Sequence, residues 1–310
     1  AHPGAQLRLA ESLIYSCQVG AALACLEALE AQAAKNGRLL QDIAQLYIHC
    51  SGHAQAARCH ERAVALEPDN PHYLFNLAAS CVALGDIARA EELLAQVVRR
   101  EPLDGGAWLN RSMLRTWAAD NNHVDAMQQL LARVPAGHAS EVPLCYALAK
   151  EYEDLGEPGA SFAFLRRGAA RRRSQLAYRV ENDVAAMARI AERFDAALLA
   201  TAPPAPAGEP SWFVLGLPRC GITLVERILS AHSKVGSVGE IPDFSFALMQ
   251  LAGGPGGKMA MIDRSAGIDF ARLGQVYRDG LLGYGQQGRF LINKMPVNFL
   301  YLGLIHLALP

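Results

Sequence analysis

Apolar residues recur along the first half of the chain at the three-and-four spacing of a buried helix face, and the recurrence itself repeats. Leu40, Ile43, Ala44, Tyr47, Ala56 and Ala63 lead to Pro68; Leu74, Leu77, Ala78, Cys81, Ala90 and Val97 lead in the same order to Pro102, 34 residues further on. Small residues such as Ala44, Ala56 and Ala78 let two antiparallel helices approach, larger ones fill the space between them, and proline ends the second helix. Gly52 and Gly85 fall where each hairpin must turn. Weaker copies lie around Ala22–Leu26, Trp108–Pro135 and Leu148, Ala149, Tyr152 and Gly156. About five units are expected, the outer ones degenerate.

The pattern changes towards the C-terminus. An alanine-rich helical rhythm runs from Gln175 to about Ala200, and Thr201 to Pro210 is dense in proline, which favours an extended connector. Ser211 to Leu215 reads as a short buried strand, and a helix begins at Ile222 or Thr223 and runs through Leu224, Val225, Ile228 and Leu229. The expected division is a repeat domain over 1–174, a connecting helix and proline-rich linker over 175–210, and the N-terminal portion of an α/β domain with a parallel sheet over 211–310. The apolar segment from Phe299 to Pro310 lacks a polar closing turn, so the stretch is expected to stop inside that domain.

The 34-residue unit resembles the tetratricopeptide repeat. The resemblance implies a right-handed α-solenoid of helical hairpins whose concave surface holds a protein or peptide.

Composition narrows the function. With 29 basic and 30 acidic residues in 310, no global field favours nucleic acid or an anionic membrane, so any anion site is local. Seven cysteines without a C-x-x-C pair, most of them among alanine and leucine, fit buried thiols in a reducing, cytoplasmic setting. Arg8 and Glu11 precede any long apolar run, so no leader is expected, and no stretch approaches the ~20 apolar residues of a membrane span.

The densest chemistry is the turn Gly216-Leu-Pro-Arg-Cys-Gly221-Ile-Thr223 between a strand and a helix, an arrangement in which backbone N–H groups and the helix end converge on a phosphate. Gly216 and Gly221 have Walker spacing, but Ile222 stands where a nucleoside-triphosphate site carries lysine, which argues against a kinase or ATPase. A phosphatase-like loop needs cysteine first and arginine several residues later; Arg219-Cys220 has the reverse order. His49 and His53, four apart, have no third ligand at usable spacing, and no metal is expected. The run from Leu165, Arg166 and Arg167 through Arg171, Arg172 and Arg173 to Arg179 lacks interleaved aromatics and reads as a solvated helix face or an acidic-peptide contact.

Pro218-Arg219-Cys220-Gly221-Ile222-Thr223-Leu224 resembles the P-R-S-G-T-T-L 5′-phosphosulfate loop of sulfotransferases. Val225-Glu226, Ile228-Leu229, Ala231-His232, Gly239-Glu240 and the block Asn293-Lys294-Met295-Pro296-Val297-Asn298-Phe299 extend the likeness to bacterial tetratricopeptide-sulfotransferases and, more distantly, to tyrosylprotein sulfotransferases. The resemblance implies sulfonate transfer from 3′-phosphoadenosine 5′-phosphosulfate to a hydroxyl or amine. It casts Arg219 and the loop from Cys220 through Gly221, Ile222 and Thr223 to Leu224 as the 5′-phosphate site, Lys294 as the cation at the sulfonate and bridging oxygen, and Glu240 as general base. Cys220 and Ile222 stand where the family has serine and threonine, which removes two hydroxyl donors, and the family's arginine and serine for the 3′-phosphate lie beyond the last matched segment. Two other readings stay open. Glu240 could cap the helix starting at Pro242-Asp243, and the whole could be a non-catalytic interaction scaffold with a degenerate sulfotransferase domain.

Overall fold

The computed structural model describes residues 2–135, 137–203, 211–285 and 290–310. From residue 204 onwards the proline-dense connector lies outside the described residues. The chain forms two compact units, one of Gln32–Gln45 and His53–Tyr178, the other of Ala1–Ala31, Leu46–Gly52 and Arg179–Pro310.

Helices account for the first 174 residues: α1 (Pro3–Tyr15), α2 (Val19–Gln32), α3 (Gly37–His49), α4 (His53–Leu66), α5 (Pro71–Leu84), α6 (Ile87–Arg100), α7 (Gly105–Ser112), α8 (Val124–Arg133), α9 (Glu141–Asp154) and α10 (Pro158–Ser174). In the repeat unit α5 packs against α4 and α6, and α9 against α7, α8 and α10, which is the stacked-hairpin architecture of a tetratricopeptide solenoid. The repeat positions supply its core: Leu74, Leu77, Ala78 and Cys81 of α5 meet Ala90, Leu94 and Val97 of α6, and the cluster continues to Met127 of α8 and Leu144 and Leu148 of α9.

Local chemistry sets the helix ends. Asn70 accepts from the His72 N–H at 3.1 Å, with Pro71 at the first helical position of α5, and Gly85 closes that helix at φ 83°. Asp86 and Asp104 cap α6 and α7. At the turn after α3 the left-handed residue is Ser51, at φ 59°, and Gly52 follows it. The loop after α7 is held from beneath: the buried Glu151 carboxylate accepts from Ser112 Oγ at 2.6 Å and from the His123 N–H at 2.7 Å. Burial opposes that charge, but the hydrogen bonds from His123 and Ser112 outweigh it and hold the carboxyl below its ordinary range. Of the arginines on α10, Arg167 and Arg171 pair with Glu141, while Arg166 and Arg172 are exposed without an ion pair among the described residues.

The second unit holds α11 (Val180–Arg193), α12 (Ala196–Leu199), β1 (Ser211–Val214), α13 (Ile222–Ser230), β2 (Val235–Gly239), α14 (Asp243–Ala252), α15 (Gly257–Ser265), α16 (Phe270–Leu282), β3 (Phe290–Lys294), a 3₁₀ turn at Pro296–Tyr301 and α17 (Leu302–Ala308). Its three strands are parallel in the order β1-β3-β2. Phe213 of β1 stacks on Tyr277 of α16 at 5.4 Å, and Phe244 of α14 meets the same ring edge-on at 5.5 Å. Around them lie Val238, Ile241, Leu248, Leu273, Leu281 and Leu304, together with Cys17 from the turn between α1 and α2. Gly274 lets α16 and α17 touch, because a Cβ there would stand 2.1 Å from the Ala308 carbonyl oxygen. Arg189 of α11 bonds Asp263 of α15 at 2.7 Å. Among the described residues no helix is long and apolar enough to cross a membrane.

Candidate active site

Parallel strands open their C-terminal ends on one side of a sheet, and the crevice there is where α/β folds bind ligands. Three loops leave the sheet on that side: the turn after Val214 of β1, Glu240 after Gly239 of β2, and Met295-Pro296 after Lys294 of β3. The Met295 N–H donates to the Val214 carbonyl at 3.2 Å and so ties two of them together.

The turn after β1 is shaped by backbone that side chains seldom adopt. Arg219 sits at φ 68° and Gly221 at φ 93°, and a left-handed arginine is a conformation found disproportionately at functional sites. Gly221 is the N-cap of α13 and supplies no side-chain cap, so the N–H groups of the first turn of α13 are left to another acceptor. Gly216 lets the turn close on itself, since a Cβ there would meet Cys220 Sγ at 2.8 Å.

A cavity of about 410 Å³ opens over this turn, lined by Pro218, Arg219, Gly221, Ile222, Thr223, Glu240 and Pro296. Of the residues singled out from the sequence, five therefore share one cavity, and Lys294 joins them through an ion pair between its Nζ and Glu240 Oε1. Cys220 and Leu224 do not line it; both are exposed, Cys220 packing by Gly216 and Leu224 lying on the open face of α13. Glu240 makes no side-chain cap to α14, whose N-cap position is Pro242.

Behind these groups lies a buried polar layer that the sequence reading left without a role. Asn298 Nδ2 donates to Asn293 Oδ1 at 3.2 Å, and Asn293 Nδ2 donates to the Tyr277 hydroxyl oxygen at 3.1 Å, which fixes the backbone on both sides of Lys294. Both asparagines stand inside the block Asn293–Phe299, and that block is their signal in the sequence. Ser237 Oγ donates to the buried Glu226 at 2.6 Å and accepts from the Gly239 N–H at 3.1 Å. Among the described residues no group of three metal-ligating side chains comes together.

The arrangement offers a cationic, N–H-rich pocket with one carboxylate at its rim. It can hold a doubly charged oxyanion and place a base beside it.

Two segments of the chain match known families. Residues 210–310 match the model of a sulfotransferase family, and residues 53–110 match a tetratricopeptide repeat. A protein of Aquifex aeolicus, described only as uncharacterized, is 26% identical over 238 residues, covering 74% of this chain; the chain spans 31% of that relative's length. Among solved structures, tetratricopeptide-like repeats of a Podosopora anserina kinesin light chain superpose with a TM-score of 0.44 at 20% identity, over 57% of this chain and 100% of that one. MamA does so at 0.40 and 10% identity, over 51% and 90%. Residues 53–110 of this chain are thus a tetratricopeptide-repeat segment and residues 210–310 a sulfotransferase-family segment.

Proposed function

We propose that this protein transfers a sulfonate group from 3′-phosphoadenosine 5′-phosphosulfate to a hydroxyl or amine, on a protein or peptide acceptor presented by the repeats. The observation that carries the reading is the meeting of Lys294 and Glu240 at the cavity over the Arg219–Thr223 turn. The donor set suits the nucleotide's phosphosulfate end: the N–H groups at the start of α13, the Arg219 guanidinium and the Thr223 hydroxyl match a 5′-phosphate, and Lys294 matches the sulfonate and bridging oxygens. The nucleotide supplies the sulfonate and a phosphate leaving group. Glu240 takes the proton of the attacking hydroxyl or amine, and Lys294 counters the charge that grows on the departing oxygen. The free cysteines, six of them buried or half-buried, fit a reducing cytoplasmic compartment.

The test is titration of 3′-phosphoadenosine 5′-phosphate into the whole protein, wild type and Arg219→Ala. Saturable binding that weakens tenfold or more in the variant is expected; no binding to the wild type, or equal binding to both, would overturn the reading.

One observation favours the scaffold alternative. Ile222 lines the cavity at the position where the family has threonine, so that hydroxyl donor is missing there. On that reading the α/β segment is a binding platform and the repeats carry the function.

A further inference from the structure

Glu240 points where it does because strand β2 is irregular at its end. Ser237 pairs with Ile292 and Gly239 with the next residue, Asn293, so Val238 is the extra residue of a bulge, and Gly239 adopts φ 71°. A bulge re-aims whatever follows it, and here Glu240 follows. The bulge is held by one side chain, Ser237, whose hydroxyl oxygen accepts the Gly239 N–H at 3.1 Å. The hydroxyl proton is itself committed to Glu226 Oε1 at 2.6 Å.

Glu226 is an odd residue to find there. It lies on α13, past the first turn where a carboxylate favours the helix end, and it is only 6% exposed on a helix whose neighbours Leu224, Val225 and Ile228 are open to solvent. Burying a carboxylate is costly unless it is hydrogen-bonded. It accepts from Ser237, so what that burial achieves is a rigid link between the helix beginning at the phosphate turn and the strand end carrying the carboxylate.

We infer that Glu226 is a positioning residue: through Ser237 it locks the β2 bulge and thereby holds Glu240 against Lys294, coupling the placement of the base to the helix that begins at Gly221. The inference rests on the proposed role of Glu240. α13 is fixed at its start by the phosphate turn and in its middle by Glu226, so an anion seated at the turn orders the same helix that aims the base.

The test compares wild type, Glu226→Ala, Glu226→Gln and Ser237→Ala in the whole protein. Three readouts are used: exchange of the Gly239 amide hydrogen, affinity for 3′-phosphoadenosine 5′-phosphate, and the rate of sulfonate transfer. Glu226→Ala and Ser237→Ala are expected to speed Gly239 exchange tenfold or more and to lower kcat tenfold or more, with nucleotide affinity within about threefold of wild type. Glu226→Gln keeps an oxygen that accepts the Ser237 hydroxyl and is expected to restore both. Glutamine no better than alanine, unchanged Gly239 exchange in Ser237→Ala, or equal losses of nucleotide affinity and kcat would overturn the inference. Should Glu226→Ala not fold, the serine and glutamine variants decide alone. A wild type that neither binds nucleotide nor transfers sulfonate sinks the proposed function instead, and Gly239 exchange still reports on the link.

Discussion

Lys294 and Glu240 form an unequal pair: the lysine side chain is 9% exposed and its partner carboxylate 53%. The carboxylate is half open to water, but the ammonium it faces is buried, so removing the carboxylate's charge costs more than breaking a surface pair would. Glu240→Gln, which keeps an oxygen facing that ammonium, is therefore expected to lower the melting temperature modestly while lowering transfer by about 10²–10⁴-fold, the usual contribution of a general base. Calorimetry and a rate measurement on the same preparation check it. A fully active glutamine variant would remove Glu240 from the chemistry.

The two departures from the family loop should not behave alike. Ile222 lines the cavity and Cys220 does not. A hydrogen bond to a charged group contributes roughly 1.5–3 kcal/mol, so Ile222→Thr is expected to tighten 3′-phosphoadenosine 5′-phosphate about tenfold or more. Cys220→Ser should change it by less than about threefold, within the scatter of a substitution that adds no such bond. Titration of both variants against the wild type separates them.

In the repeat unit, His60 is buried against Ser80, with Nδ1 2.8 Å from the hydroxyl oxygen. Burial, helped by the nearby His72, lowers its pKa to about 4. The unfolded chain binds this proton near pH 6.5 and the folded chain only near 4, so stability falls as pH drops through that window, by up to about 3 kcal/mol. Denaturant melts between pH 7 and 4 should show this acid limb in the wild type and a flatter one in His60→Gln.

Asp243 has the opposite sign. It is buried at the start of α14, with Oδ2 accepting from the Tyr284 hydroxyl at 2.6 Å and Oδ1 without a side-chain or backbone partner among the described residues. Burial raises its pKa, and the Tyr284 hydrogen bond only partly counters that. The folded state keeps a proton that the unfolded state has lost, so this residue costs stability as pH rises from about 4 through the raised folded value. Asp243→Asn should match the wild type near pH 4 and exceed it at neutral pH. A wild-type curve that rises over that interval more steeply than the variant's would contradict the assignment.

The repeats were legible because their core is written as size alternation: Ala44, Ala56, Ala78 and Ala90 are all buried where the 34-residue pattern calls for small residues. The turn at Gly216–Thr223 was legible because a strand, paired glycines and a helix start carry the anion chemistry in one stretch. Strands β2 and β3 were not. Gly236 and Gly239 dilute the β-branched signal of β2, and β3 ends in Asn293 and Lys294, polar residues buried by a network that no local pattern shows. The role of Glu226 is not legible in the sequence, because a glutamate on a short helix ordinarily faces water and only its burial and its distance to Ser237 show otherwise. The left-handed Ser51, next to the glycine that the pattern marks, shows that a hairpin turn can be placed to within one residue without its geometry being known.

The strand order β1-β3-β2 has a consequence of scale. Hydrogen-bonded strands stand about 4.8 Å apart, so the phosphate turn and the base hang from rails about 10 Å apart, with the lysine's rail midway between them. An in-line displacement on the proposed reading wants that layout: leaving group on one side, incoming nucleophile on the other, counter-charge in the middle. Because the gauge belongs to the sheet's own ladder, side-chain substitutions can mistune the groups but cannot move the rails.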